Sequence, residues 1–364
     1  MICPKKFLEF LEKKNINFFT GVPDSVLKNF TENLPEKKNY IMANEGLSIS
    51  LGIGYYLKTK KIPLIYFQNS GLGNAINPLI SIAHKNIYSI PMVLLIGWRG
   101  APNTTDEPQH VQQGKSTISF LKNIGIKSVI LNKDLNPSKL GRAIDLAKRS
   151  SEPIAILVKK NLFNKTNKKI FVKNSYSLQR SDVIKFILNQ ISYKTIIFSS
   201  TGHISRELNH HIKIKKNKKI RTFFNVGGMG HTSSLALGYS INSKDKIICL
   251  DGDGALMMHM GSIANIGTFS KKNFLHILLN NGTHESVGGQ TTNSFNINFK
   301  KFSQSMNYKS YYSVKNEKDL EKKLPKLLKK KDGPSLCEIF IQNKSIKNLS
   351  RPKDFNNLKK LFIK

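Results

Sequence analysis

Short apolar runs recur along this chain, each bounded by Gly, Pro, Asn or Ser and separated by stretches of helical period. In the first half they are Pro63–Phe67, Met92–Ile96, Ser128–Leu131 and Ile154–Val158. In the second half they are Thr195–Phe198, Ile247–Leu250, Leu275–Leu279 and Leu336–Ile341. A run with no polar alternation belongs to a strand buried on both faces, and helices between such strands make a parallel sheet. The pattern predicts an α/β chain with two mainly parallel sheets, each flanked by helices.

The stretch from Lys159 to Ser177 is rich in Lys, Asn and Ser and lacks apolar periodicity. The expected division is therefore a first domain over 1–160, a linker over 161–177, a second domain over 178–345 and a basic tail over 346–364. The length of 364 residues accommodates two ordinary cores and no third one. The tail is expected either as a terminal helix or as a frayed end.

The net charge is +35, from 58 Lys and Arg against 23 Asp and Glu. Such a balance fits a nucleic-acid partner, here a basic binding protein on a retired enzyme fold. It equally fits lysines scattered over solvent faces. Runs such as Lys329-Lys330-Lys331 fall at element ends and are not interleaved with aromatic residues, which favours the second reading, with no nucleic-acid partner. Cys3, Cys249 and Cys337 form neither a metal-ligand spacing nor a disulfide set, and the last two sit in strand-like runs as small hydrophobes. No apolar stretch reaches the roughly 20 residues that span a bilayer, and Met1 to Lys14 reads as an amphipathic helix without a signal-peptide core. The expectation is a cytoplasmic protein with no membrane partner.

Chemistry is concentrated in Asp251-Gly252-Asp253-Gly254-Ala255, which follows a strand and opens a helical stretch to about Phe269. Glycines at such a junction let the backbone approach a ligand closely. A carboxylate beside a phosphate group requires a hard cation between them, and Mg2+ takes one or two carboxylates plus phosphate oxygens. The next strand ends in Asn280-Asn281-Gly282-Thr283, with 25 residues between Gly254 and Asn280. In a parallel sheet the two strand ends lie side by side at the ligand edge. Either turn alone is ordinary; the pair, joined by one βαβ unit, predicts a metal–diphosphate site.

This pair resembles the motif of the thiamin-diphosphate-dependent decarboxylases. The resemblance implies thiamin diphosphate and Mg2+ as cofactors, with Asp253, Asn281 and the carbonyl of Thr283 as the metal ligands. Gly252, Gly254 and Ala255 then belong to the diphosphate cradle. Asn225-Val226-Gly227-Gly228-Met229-Gly230 matches the loop that supports the bent cofactor, with Met229 beneath the bend and the Gly227 carbonyl accepting from the aminopyrimidine. Gly202, in Thr201-Gly202-His203, falls at a further diphosphate turn. Met42-Ala43-Asn44-Glu45-Gly46 is similar to the family's glutamate segment, which makes Glu45 the catalytic acid. The first domain is then the pyrimidine-type and the second the diphosphate-type. The family places that glutamate and the diphosphate on different subunits, so a homodimer or a dimer of dimers with interface active sites is implied.

The absence of a third, central domain resembles the phosphonopyruvate and sulfopyruvate decarboxylase group. So do Gly21-Val22-Pro23-Asp24-Ser25, Gln68 to Asn74, Gly97 to Gly100, Asp106 to His110 and Asn281 to Gln290. The phosphonate branch implies 3-phosphonopyruvate as substrate, phosphonoacetaldehyde and CO2 as products, and a place in 2-aminoethylphosphonate biosynthesis. The alternative is sulfopyruvate. Substrate contacts are expected from Asp24, Asn69, Ser70, Arg99, His110, His284 and Glu285.

Overall fold

The computed structural model describes residues 1–133, 137–166, 174–192, 194–215 and 220–363. The chain divides into two compact units, Met1–Phe171 with Val287–Gln290, and Val172–Ser286 with Thr291–Lys364. Part of the expected linker, 167–173, lies outside the described residues.

The first unit holds β1 (Phe19–Gly21), β2 (Asn39–Ile41), β3 (Leu64–Gln68), β4 (Val93–Gly97), β5 (Lys127–Leu131) and β6 (Ile154–Val158). They form one parallel sheet in the order β2-β1-β3-β4-β6-β5. Leu64, Tyr66, Val93, Leu95, Ile154 and Ile156 pack one face against the helices Pro4–Lys13 and Pro137–Ser150 through Phe7, Leu11, Leu140 and Ile144. The alternate residues Ile65, Phe67, Leu94, Ile96, Ala155 and Leu157 are equally buried. Both faces are covered, which is why these strands read as unbroken apolar runs.

The second unit repeats the plan with β7 (Thr195–Ser199), β8 (Arg221–Phe224), β9 (Lys246–Gly252), β10 (Phe274–Asn280), β11 (Ser310–Val314) and β12 (Ser335–Phe340). The order is β11-β12-β10-β9-β7-β8, again all parallel. One face carries Ile197, Ile248, Leu250, Leu275 and Ile277; the other carries Ile196, Phe198, Ile247, Cys249 and Leu278. The tail ends in a helix, Phe355–Ile363, whose Phe362 ring meets Phe198, Phe223 and Tyr239.

Strands β1, β2, β8 and β11 carried no signal in the sequence. Three of them are sheet edges with mixed polar residues, and β1 is only three residues long. The helix expected to run to Phe269 is two helices, Asp253–Met258 and Ser262–Phe269. His259 leaves the helical region (φ −135°, ψ 53°) and Gly261 lies in the turn. No helix among the described residues is long and apolar enough to cross a membrane.

In each sheet the strand order reverses beside the first strand of its unit. The reversal lies between β1 and β3 in one and between β7 and β9 in the other. Crevices open outside the carboxyl ends of strands at such switch points.

Candidate functional site

In the second unit the switch-point crevice is a pocket. Its walls include Ser200, Thr201 and His203 after β7, Gly252 to Ala255 after β9, and Asn281, Thr283, His284 and Glu285 after β10. Met229 and Arg180 complete it. The parallel register places Leu279 opposite Gly252, so the two motifs emerge side by side from adjacent strands. Gly202 and Gly227 sit beside the wall: Gly202 has φ +89° between two lining residues, and the Gly227 N–H donates to Thr201 Oγ1 at 3.4 Å. Gly227 itself has φ +79°, a backbone that glycine adopts without strain. A Cβ on Gly254 would come within 2.9 Å of the His284 ring. Bare backbone is what this wall of the pocket requires.

Asp253 is buried, and its Oδ2 accepts from Thr292 Oγ1 and from Ser294 Oγ at 3.0 Å. Burial pushes its carboxyl up to about 6, against these hydroxyls and nearby backbone N–H groups, which pull it down. No cationic side chain is among those partners. Such a donor set fits a hard divalent cation, whose charge would hold the carboxylate ionised.

The two adjacent asparagines do different work. Asn280 is fully buried; its Nδ2 donates to Glu338 Oε1 at 2.7 Å, while its Oδ1 accepts from Ser294 Oγ at 2.7 Å and the Gly282 N–H at 3.2 Å. It holds the turn shut. Asn281 lines the pocket, with Oδ1 accepting from the Thr283 N–H at 3.0 Å. His203 and His284 are both pushed down to about 4, chiefly by burial, so at neutral pH each is an uncharged imidazole with one N–H to donate. No local pattern in the sequence pointed to Thr292, Ser294, Glu338 or Arg180. Asn225 ties its loop by donating to the Gly228 carbonyl and, at 2.9 Å, to Thr232 Oγ1. Thr292, Ser294, Glu338 and Arg180 each matter through a partner distant in sequence or across a turn.

In the first unit Glu45 opens the helix Glu45–Thr59, whose N-cap Asn44 accepts from the Leu47 N–H at 3.0 Å. Glu45 is 5% exposed, and its Oε2 accepts from Asn74 Nδ2 at 2.7 Å. Burial raises it above the usual carboxylate range, against the Asn74 bond. Gly71 makes the room: a Cβ there would lie 2.1 Å from Glu45 Oε1. Gly71→Ala is therefore expected to displace the Glu45 carboxyl and to cost about 1–3 kcal/mol by overpacking. A thermal midpoint unchanged from wild type would show that the site has slack.

Asp24, Asn69, Ser70 and Arg99 lie just beyond the ends of β1, β3 and β4 in two hydrogen-bonded groups. Asp24 is buried; Oδ2 accepts from the Val26 and Leu27 N–H groups at 3.0 and 3.2 Å, and Oδ1 accepts from Gln68 Nε2 at 2.6 Å. Ser70 Oγ donates to Gln68 Oε1 at 2.9 Å. Asn69 stitches β3 to β4, exchanging bonds with the Arg99 N–H and carbonyl at 3.0 and 2.9 Å. The Arg99 guanidinium is held in a two-point pair with Asp106 and donates to Ser25 Oγ at 3.2 Å. Burial opposes ionisation of Asp106, but that pair and the Gly100 and Glu107 N–H groups hold its carboxyl well below the usual range. His110 is buried on the helix Pro108–Asn123.

Comparison with known proteins covers both units. Residues 5–132 match the family described as thiamine pyrophosphate enzyme, N-terminal TPP binding domain. Residues 200–339 match thiamine pyrophosphate enzyme, C-terminal TPP binding domain. A phosphonopyruvate decarboxylase from Streptomyces viridochromogenes is 27% identical over 354 residues, covering 92% of this chain and 87% of that protein. A sulfopyruvate decarboxylase from Methanosarcina acetivorans is 27% identical over 309 residues, covering 79% and 78%. A sulfopyruvate decarboxylase subunit beta from Methanocaldococcus jannaschii is 37% identical over 116 residues, covering 32% and 59%.

Proposed function

Because the chain belongs to the thiamine pyrophosphate enzymes, we propose that it decarboxylates 3-phosphonopyruvate non-oxidatively to phosphonoacetaldehyde and CO2, as a Mg2+-dependent cytoplasmic enzyme. The observation that carries this reading is the single pocket that gathers Asp253, Asn281 and Thr283 with the bare backbone of Gly252 and Gly254. When bound there, thiamin diphosphate supplies the nucleophilic carbon and the electron sink for loss of CO2.

The chain's own residues have the following parts. Asp253, the Asn281 amide oxygen and the Thr283 carbonyl would hold Mg2+. Backbone N–H groups near Gly202, Gly254 and Ala255, with neutral His203 and His284, are the donors for a diphosphate. Met229 is the apolar support, and the Gly227 carbonyl is the acceptor for an amino group. Glu45, with its carboxyl raised by burial, is suited to keep a proton and share it with a ring nitrogen. Two copies of the chain are the functional unit, each lending its glutamate to the other's diphosphate pocket.

For the substrate, Ser70 and His284 are the candidate polar contacts, with Asp24, Asn69, Arg99 and His110 shaping the wall of the first unit. Arg99 acts there as an Asp106-neutralised donor, not as a free cation. The similarity to sulfopyruvate decarboxylases favours a second substrate of the same shape. The test is turnover on phosphonopyruvate, sulfopyruvate and pyruvate, side by side with saturating cofactor. A clear preference for phosphonopyruvate is expected. Preference for either of the others overturns the substrate, and no turnover on any 2-keto acid overturns the reaction.

A further inference from the structure

A chain of ionic contacts runs from the buried interior of the second unit to the turn after β10. Glu207 is fully buried on the helix His203–Lys215. Its two oxygens accept from Arg180 Nη2 at 3.0 Å and Nε at 3.2 Å. The third guanidinium nitrogen, Nη1, donates to Glu285 Oε2 at 2.9 Å. The same Oε2 accepts from Asn281 Nδ2 at 3.2 Å. Arg180 is 4% exposed and Glu207 is fully buried, so their pair is sheltered from solvent, while Glu285 stands partly exposed at the pocket wall.

The arrangement determines which way round the Asn281 amide must stand. With its nitrogen toward Glu285 and its oxygen on the Thr283 N–H, both contacts pair a donor with an acceptor. Rotated by a half turn, the amide would set oxygen against carboxylate and nitrogen against N–H, and both contacts would be lost. A buried Arg held at two points on one side cannot swing away to release the carboxylate on the other.

We infer that Glu285, braced by Arg180 and Glu207, is a positioning residue that keeps the Asn281 amide oxygen presented to the metal. This rests on the proposed Mg2+–diphosphate pocket and assigns Glu285 a task other than contact with substrate. Partners one step behind a metal ligand commonly change metal affinity by about 10–100-fold when removed.

The test is equilibrium dialysis of thiamin diphosphate onto the full chain across a Mg2+ titration, with no substrate present. Glu285→Ala is expected to raise the half-saturating Mg2+ concentration about tenfold or more. Glu285→Gln retains an acceptor for Asn281 and is expected to recover most of that loss. The thermal midpoint of the cofactor-free protein should stay near wild type for both, since Glu285 stands at the pocket wall. A purely structural role would move the midpoint and leave the Mg2+ requirement alone. If Glu285→Ala does not fold, Arg180→Lys takes its place: one ammonium cannot span Glu207 and Glu285, and the same rise in Mg2+ requirement is expected. A wild-type Mg2+ requirement in the folded variant overturns the inference. Failure of the wild-type chain to take up thiamin diphosphate at any Mg2+ concentration overturns the pocket assignment instead.

Discussion

Glu45→Gln is expected to lose decarboxylation by about 10²–10⁴-fold, the usual contribution of a positioned general acid–base group, while still taking up thiamin diphosphate and Mg2+. The substitution keeps shape and burial and removes only the exchangeable carboxyl proton. The same variant has a second signature in stability. Burial raises the Glu45 carboxyl, so the folded chain holds the proton more tightly than the unfolded chain does. That contribution to stability is complete below the unfolded carboxylate range and is lost as pH rises through the folded value. Above the folded value the wild type carries a buried carboxylate, whereas the Gln variant stays a neutral amide at every pH. The variant should therefore melt higher there, by an amount on the order of 1 kcal/mol. The gap should close as pH falls below the unfolded carboxylate range, where the wild-type carboxyl is protonated in both states. Turnover within a factor of a few of wild type would remove Glu45 from the chemistry. A gap that fails to widen as pH rises would contradict the burial account.

Asp253→Ala is expected to abolish uptake of thiamin diphosphate at Mg2+ concentrations that saturate the wild type. The loss takes away the pocket-lining carboxylate between the two strand-end glycines and leaves Thr292 and Ser294 without their shared acceptor. Dialysis read by mass spectrometry of the bound fraction measures it directly; retention of cofactor would displace the metal site from Asp253. The two variants together test the shared site. If each pocket uses the partner copy's glutamate, a co-expressed dimer of Glu45→Gln with Asp253→Ala contains one intact site and one doubly damaged site. Random pairing would then restore about a quarter of wild-type activity from two nearly inactive parents. If each chain serves itself, every site in the mixture carries one lesion and nothing is restored.

Much of this was legible in the sequence because the signals are local. The central strands announce themselves as apolar runs, and Gly252-Asp253-Gly254 and Asn280-Asn281-Gly282 are continuous in sequence. Glu45 stood out through its segment, and the structure buries it at the start of a helix. The unread parts depend on partners distant in the chain. Arg180 matters because of Glu207 and Glu285, and Gly71 matters because of the Glu45 carboxyl. Arg99 read as a donor for an anion because no sequence pattern shows that Asp106, seven residues on, already occupies it. Edge strands β2, β8 and β11 were missed because their exposed sides carry polar residues, which erases the run that marked the centre.

The register of β9 against β10 bears on how such sites vary and how they are found. Six successive pairs, from Phe274 with Ile247 to Leu279 with Gly252, set the two motifs side by side. The residues that connect them, including the turn at His259–Gly261 and the loop before Phe274, do not enter that pairing. Residues added or removed there would change the distance between the motifs along the chain and leave their distance in space unaltered. The interval that makes the pair recognisable is thus a by-product of one crossover's length. A search that demands a fixed interval would pass over proteins with the same site and a longer bridge.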